Sequence, residues 1–165
     1  MKLGLDRYVV LSPGGGWRSK CWPPERFGQL SQLIRDTLGL RSVVNYGPGE
    51  DDLALAVREC SGDADPVPYN GPLGPLMALL RNAACVVGGD TGPLHLAIAL
   101  GTKTVALFGP TDPRRNGPYR TGDIVLRAPN VRTTHRRHDQ AHPALLEIQV
   151  PEVLGAVRRR IGVAA

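Results

Sequence analysis

Apolar residues in this chain fall into short runs that alternate between two spacings. Residues 8–11, Tyr-Val-Val-Leu, are continuously apolar and stop at Ser12-Pro13-Gly14-Gly15-Gly16, the pattern of a strand buried on both faces. Over 24–38, Phe27, Leu30, Leu33, Ile34 and Leu38 recur at helical spacing, with Pro23-Pro24 suited to a helix start and Gly39 to its stop. The alternation continues with a strand at 42–46 and a helix at 50–60 that keeps Leu53, Ala54, Val57 and Cys60 on one side. A loop rich in Gly, Asp and Pro at 61–75 holds a short strand near Val67, and a helix at 76–83 follows. Then come a strand at 85–87, a small-residue helix at 92–100, and strands at 103–108 and 124–126. After an irregular Arg- and His-rich stretch, 150–161 reads as an amphipathic helix with a basic outer face. Strand–helix alternation of this kind predicts an α/β fold: a parallel sheet with helices on both faces and right-handed crossovers.

Composition sharpens this picture in two places. The 165 residues, 42% hydrophobic and 21% charged, suit one globular domain spanning 1–165. Gly (20) and Pro (15) are abundant without a period, so they mark turns and shaped loops, not collagen or low complexity. In open parallel sheets ligands sit at the carboxyl ends of the strands. The unusual loops obey this, because 14–20, 47–50, 88–92 and 109–112 each follow directly after a strand. The net charge of +5 is concentrated late: seven Arg against Asp139, Glu147 and Glu152 leave residues 127–165 at +4. Three widely spaced cysteines (Cys21, Cys60, Cys85) indicate neither a disulfide framework nor a zinc site. Residues 1–7 are too short and charged for a secretory leader, and no apolar run reaches the ~18 residues of a membrane span. A cytoplasmic domain is expected.

Two loops carry chemistry. In Gly14-Gly15-Gly16-Trp17-Arg18-Ser19-Lys20-Cys21-Trp22, glycines let backbone N–H groups approach an anion, and Arg18, Ser19 and Lys20 add fixed charge and a hydroxyl donor. The loop is neither a Walker A motif nor G-x-G-x-x-G, since no Gly precedes Lys20 and Ser19 holds the third Gly position. Trp22 is expected to pack in the core. In Gly88-Gly89-Asp90-Thr91-Gly92-Pro93-Leu94-His95, Asp90 or Thr91 is placed to cap the helix that begins near Gly92, where free N–H groups form an anion site. Pro93 fits the first turn, and His95 lies within it.

Taken together, residues 13–27, 88–97 and Phe108-Gly109-Pro110-Thr111-Asp112-Pro113 resemble, in the same order, the heptosyltransferase family of glycosyltransferases. The likeness runs from about 8 to 127 and is to the C-terminal, donor-binding half of a two-lobed GT-B enzyme, a Rossmann-like domain. It implies transfer of heptose from ADP-heptose to the lipopolysaccharide inner core, with no cofactor and no metal. Lys20 would meet the donor diphosphate, with Gly15, Gly16 and Ser19 adding contacts. Glu50, with Asp51 as a competing register, would hold the ribose. Asp90, Thr91 and Gly92 would contact sugar and diphosphate, with His95 one turn on, and Gly109 and Thr111 belong to a further donor loop. The family's general base and its acceptor cleft lie on the N-terminal lobe, so no catalytic residue is expected in this chain, and the isolated chain is expected to bind nucleotide sugar without turnover. The enzyme is expected in the cytoplasm, with peripheral contact to the inner membrane through the basic tail and no nucleic-acid partner.

The family's cysteine-rich segment is replaced here by 129–142, where His135, His138, Asp139 and His142 form only a weak metal pattern. The competing reading is a non-catalytic anion or nucleic-acid binding module that uses Arg132, Arg136, Arg137 and His138 together with Arg158, Arg159 and Arg160. It predicts binding that falls steeply with salt and ignores the base. An epimerase on the same two-lobed fold lacks a visible acid/base constellation.

Overall fold

The computed structural model describes residues 7–120 and 122–163, so the amino-terminal segment read above as lacking a leader lies largely outside the described residues. Six strands form one parallel sheet: β1 (Tyr8–Ser12), β2 (Arg41–Asn45), β3 (Val67–Tyr69), β4 (Cys85–Gly89), β5 (Thr104–Phe108) and β6 (Ile124–Arg127). Their order is β3-β2-β1-β4-β5-β6, with Val10 level with Val43 and Val86, and Ala106 level with Gly88 and Val125. The chain therefore builds outward from β1 in one direction, returns, and builds outward again from β4.

Strand residues are buried on both sides of the pleat, which is why their sequences read as unbroken apolar runs. Val9, Leu11, Val44, Val87, Val105 and Leu107 face the cluster formed with α1 (Pro24–Leu38), α2 (Asp51–Glu59) and α7 (Val150–Ile161). Tyr8, Val10, Val43 and Val86 face α3 (Leu73–Asn82) and α4 (Gly92–Ala99) on the other side. Trp22 is buried as expected. It meets Phe27 edge to face at 5.0 Å, and its Nε1–H donates to the Ile148 carbonyl at 3.1 Å. Burying a side chain of that size is worth roughly 2–3 kcal/mol, and here it clamps the start of α1 to the start of α7.

Three elements differ from expectation. α3 begins at Leu73, three residues before the apolar period starts, because Pro75 falls in the first turn, where its missing N–H costs nothing. Two short helices, α5 (Pro113–Asn116) and α6 (Pro143–Glu147), lie where no element was expected. They are too brief to show a period, and each opens on a proline preceded by a side-chain cap: the Asp112 carboxylate accepts from the Arg114 N–H, and His142 Nδ1 from the Ala144 N–H.

A candidate nucleotide-binding crevice at the switch point

β1 and β4 are neighbours whose following helices leave to opposite faces, so the loops after them part and open a crevice, the place where such sheets bind ligands. A cavity of about 550 Å³ occupies it. Gly14, Gly15, Gly16, Trp17 and Lys20 come from the β1 loop, Tyr46, Pro48 and Glu50 from the β2 loop, Asn70, Gly71, Leu73 and Leu76 from the β3 side, and Asp90, Thr91 and Gly92 from the β4 loop.

Lys20 and Asp90, seventy residues apart, meet here: Lys20 Nζ lies 2.8 Å from Asp90 Oδ2. Asn116 Nδ2, on α5, donates to the same oxygen at 2.8 Å, and His95 Nε2 lies 2.7 Å from Oδ1. Burial alone would raise the Asp90 pKa. The contacts from His95, Lys20 and Asn116 outweigh it and hold the carboxyl well below the usual range. Thr111 adds a smaller effect, its buried hydroxyl lying near the carboxylate without closing a bond of normal length.

That arrangement corrects the capping expectation. Asp90 caps nothing, because both its oxygens are taken by side chains. Thr91 occupies the N-cap position of α4, but its hydroxyl makes no cap bond. The N-terminus of α4 therefore keeps its positive end and its Gly92 N–H for the crevice.

Glu50 does something the motif did not suggest. Its carboxylate accepts from the Gly15 N–H at 2.9 Å and the Gly47 N–H at 2.8 Å, tying the β1 loop to the β2 loop. A Cβ on Gly14 would sit 2.1 Å from Glu50 Oε2, so a side chain there would push the Glu50 carboxylate off these two N–H groups. Asp51 and Asp52 are exposed on the first turn of α2.

Of the expected site residues, Gly15, Gly16, Lys20, Glu50, Asp90, Thr91 and Gly92 line the cavity. Ser19, Gly109 and Thr111 are buried and do not line it, and His95 reaches it through Asp90. Trp17, which sits in the first glycine loop but was given no role there, lines the cavity with Lys20 Nζ 4.4 Å from its ring centroid. Asn116 had no signal, since it sits in a helix too short to be read. Burial, with the Glu50 charge, pushes the Cys21 thiol up to about 11, so it stays neutral beside the loop and offers no thiolate. His135 lies against Arg115 while His142 caps α6, and no group of three His, Cys, Asp or Glu gathers among the described residues.

The two basic segments separate. Thr134 N–H bonds the Pro110 carbonyl at the carboxyl edge of the sheet, whereas Arg160 pairs with buried Asp123, just before β6, at the amino edge.

Comparison with known proteins bears on family and fold. Residues 2–144 match the model of glycosyltransferase family 9 (heptosyltransferase). The chain belongs to this family. It is 30% identical over 161 residues to lipopolysaccharide heptosyltransferase 3 of Escherichia coli K12, covering 93% of this chain and 46% of that protein. The chain thus spans about half the length of the curated relatives it matches, a share consistent with a C-terminal half. Among solved structures, E. coli ADP-heptose lps heptosyltransferase II superposes with a TM-score of 0.82 at 21% identity, covering 94% of this chain and 47% of that one. E. coli heptosyltransferase WaaC with ADP-2-deoxy-2-fluoro heptose gives 0.75 at 26%, covering 96% and 45%. The sheet is therefore Rossmann-like, of the kind found in these GT-B-like family 9 enzymes. No helix among the described residues is long and apolar enough to cross a membrane.

Proposed function

We propose that this chain is the donor-binding half of a heptosyltransferase that moves heptose from ADP-heptose to the lipopolysaccharide inner core. The observation that carries the reading is the meeting of Lys20, Asp90 and the uncapped α4 N-terminus across the β1–β4 crevice. The cavity is graded along its length. Tyr46, Pro48, Leu73 and Leu76 bring apolar surface to the β2–β3 end for a base, and the glycines, Lys20 and the Gly92 N–H make the β1–β4 centre an anion cradle. WaaC of E. coli, captured with an ADP-linked heptose, supports adenine and ADP as the matching ligand chemistry.

When the glycosidic bond to a nucleoside diphosphate breaks, negative charge grows on the leaving phosphate oxygens. Lys20, the Gly92 N–H and the α4 dipole are already oriented toward that charge, so they stabilise it without reorganisation. Asp90 keeps Lys20 in place and is itself held by Asn116 and His95. The acceptor hydroxyl needs a base, which the resemblance assigns to the other lobe. The isolated chain therefore binds donor and transfers nothing, and its place is the cytoplasm, at the inner-membrane face where the lipid-linked acceptor is presented. The expected calorimetric result is ADP binding at least about tenfold tighter than UDP, weakened about tenfold by Lys20→Ala, the scale of one charge-assisted phosphate contact. Equal binding of ADP and UDP, or a Lys20→Ala chain that binds ADP normally, would overturn the reading.

The glycines supply a separate check. A Cβ on Gly92 meets nothing within 4 Å, and the residue sits at the first position of α4 with ordinary backbone geometry. The fold thus leaves room for alanine there, and at the first helical position propensity does not oppose it. Gly92→Ala is expected to keep or raise the thermal midpoint while weakening ADP binding, because the methyl takes space the phosphate needs. Thermal melts paired with calorimetry read both effects at once.

A further inference from the structure

We propose that Arg137 is a second phosphate-binding cation of this crevice, positioned by Trp17, and that it engages the distal phosphate of a nucleoside diphosphate. The inference rests on the donor-binding reading above and adds to it a residue that the sequence offered only for the competing anion-binding module.

The irregular segment after β6 is a strap with two anchors. Thr134 N–H bonds the Pro110 carbonyl at 2.9 Å, and His142 N–H bonds the Ser19 carbonyl at 3.3 Å. The stretch between these anchors runs from the β5 loop to the turn that carries Lys20, and Arg137 lies near its middle. There its guanidinium carbon sits 4.7 Å from the Trp17 ring centroid, while Lys20 Nζ is 4.4 Å from the same centroid. Trp17 itself lines the cavity. One indole thus gathers two cations at the edge of the anion cradle, using the attraction of its ring for positive charge.

Charge balance says why a second cation belongs there. Lys20 is already paired with Asp90 at 2.8 Å, so together they are neutral, and a diphosphate brings two or more negative charges that Lys20 alone does not match. Arg137 is exposed and pairs with no carboxylate among the described residues, unlike Arg114 with Asp112 or Arg160 with Asp123. Its planar fork suits two phosphate oxygens and stacks on an aromatic face in the resting state. Direction along the crevice selects the phosphate. Leu73 and Leu76 on the β3 side take the nucleoside, the glycine loop takes the first phosphate, and Trp17, next in the chain after Gly16, holds Arg137 beside Lys20 for the second.

The test compares ADP with AMP by calorimetry on the full chain at fixed ionic strength. Arg137→Gln is expected to weaken ADP about fivefold and to leave AMP within about twofold, the scale of one solvent-accessible ion pair to phosphate. Trp17→Leu is expected to reproduce that loss and Trp17→Phe to restore most of it, since a phenyl ring still attracts the guanidinium. Arg136→Gln, which removes the neighbouring exposed charge, controls for long-range electrostatics and is expected to treat ADP and AMP alike. A purely structural strap would lower both nucleotides equally in Arg137→Gln, and a merely solvated arginine would change neither. Either result overturns the proposal while leaving the donor-binding reading intact, whereas a wild-type chain that binds no ADP overturns both.

Discussion

Asp90→Ala is expected to lower the unfolding free energy by about 3 kcal/mol, and Asp90→Asn to lower it less while flattening the acid limb of stability. The carboxylate side chain is 4% exposed and Lys20 is 17% exposed, so deletion strands an ammonium that water reaches only in part. Removing one member of a buried pair typically costs about 3–5 kcal/mol, and the partial exposure of Lys20 places this case at the lower end. Asn116 and His95 lose their acceptor in the same step. The pH dependence has a definite sign. Asp90 has a depressed pKa in the folded state, so its contribution is fully present above the unfolded value near pH 4 and is lost as pH falls through the folded one. Wild type should therefore shed stability on acidification below about pH 4 faster than Asp90→Asn does. Urea midpoints measured from pH 7 downward read this directly, and superimposable acid limbs for the two proteins would sink the account.

Much of the fold was legible because its strands are buried on both faces. Tyr8-Val9-Val10-Leu11 and Thr104-Val105-Ala106-Leu107-Phe108 have no polar alternation to confuse with an amphipathic helix, and glycine loops mark where each run stops. What escaped was structure held by few residues or by distant ones. α5 spans four residues and carries Asn116 to Asp90, a contact across twenty-six positions that no local period announces. Glu50 is visible as an acidic residue after a strand, but its use as a clasp between two loops depends on Gly15 and Gly47 arriving beside it. The same holds for Asp90. An Asp before a small-residue helix reads as a cap, and only the tertiary arrival of Lys20 and Asn116, with His95 one turn into α4, diverts its oxygens.

The glycine pair before Asp90 shows how packing and chemistry share one constraint, and Gly89→Ala is the substitution expected to damage both. A Cβ on Gly89 would lie 2.4 Å from the Lys20 backbone carbonyl oxygen and 3.7 Å from that of Leu107. The strand cannot retreat, because Gly89 is in register with Leu107 on β5 and Gly88 with Ser12 on β1. The Lys20 turn must yield instead, yet it is held by Lys20 N–H to the Trp17 carbonyl and Cys21 N–H to the Arg18 carbonyl, both at 2.9 Å, and by buried Trp22 just beyond. Overpacking against backbone of this kind costs about 2–3 kcal/mol. The displaced turn also carries Lys20 Nζ away from Asp90, so nucleotide affinity falls with stability. Gly92→Ala, by contrast, should separate the two quantities, because its Cβ enters open space. Melting both variants and titrating each with ADP distinguishes a glycine needed by the fold from one needed by the ligand. A Gly89→Ala chain that melts like wild type and still binds ADP through Lys20 would show that the turn moves freely, and the tight seating of Lys20 against β4 would have to be abandoned.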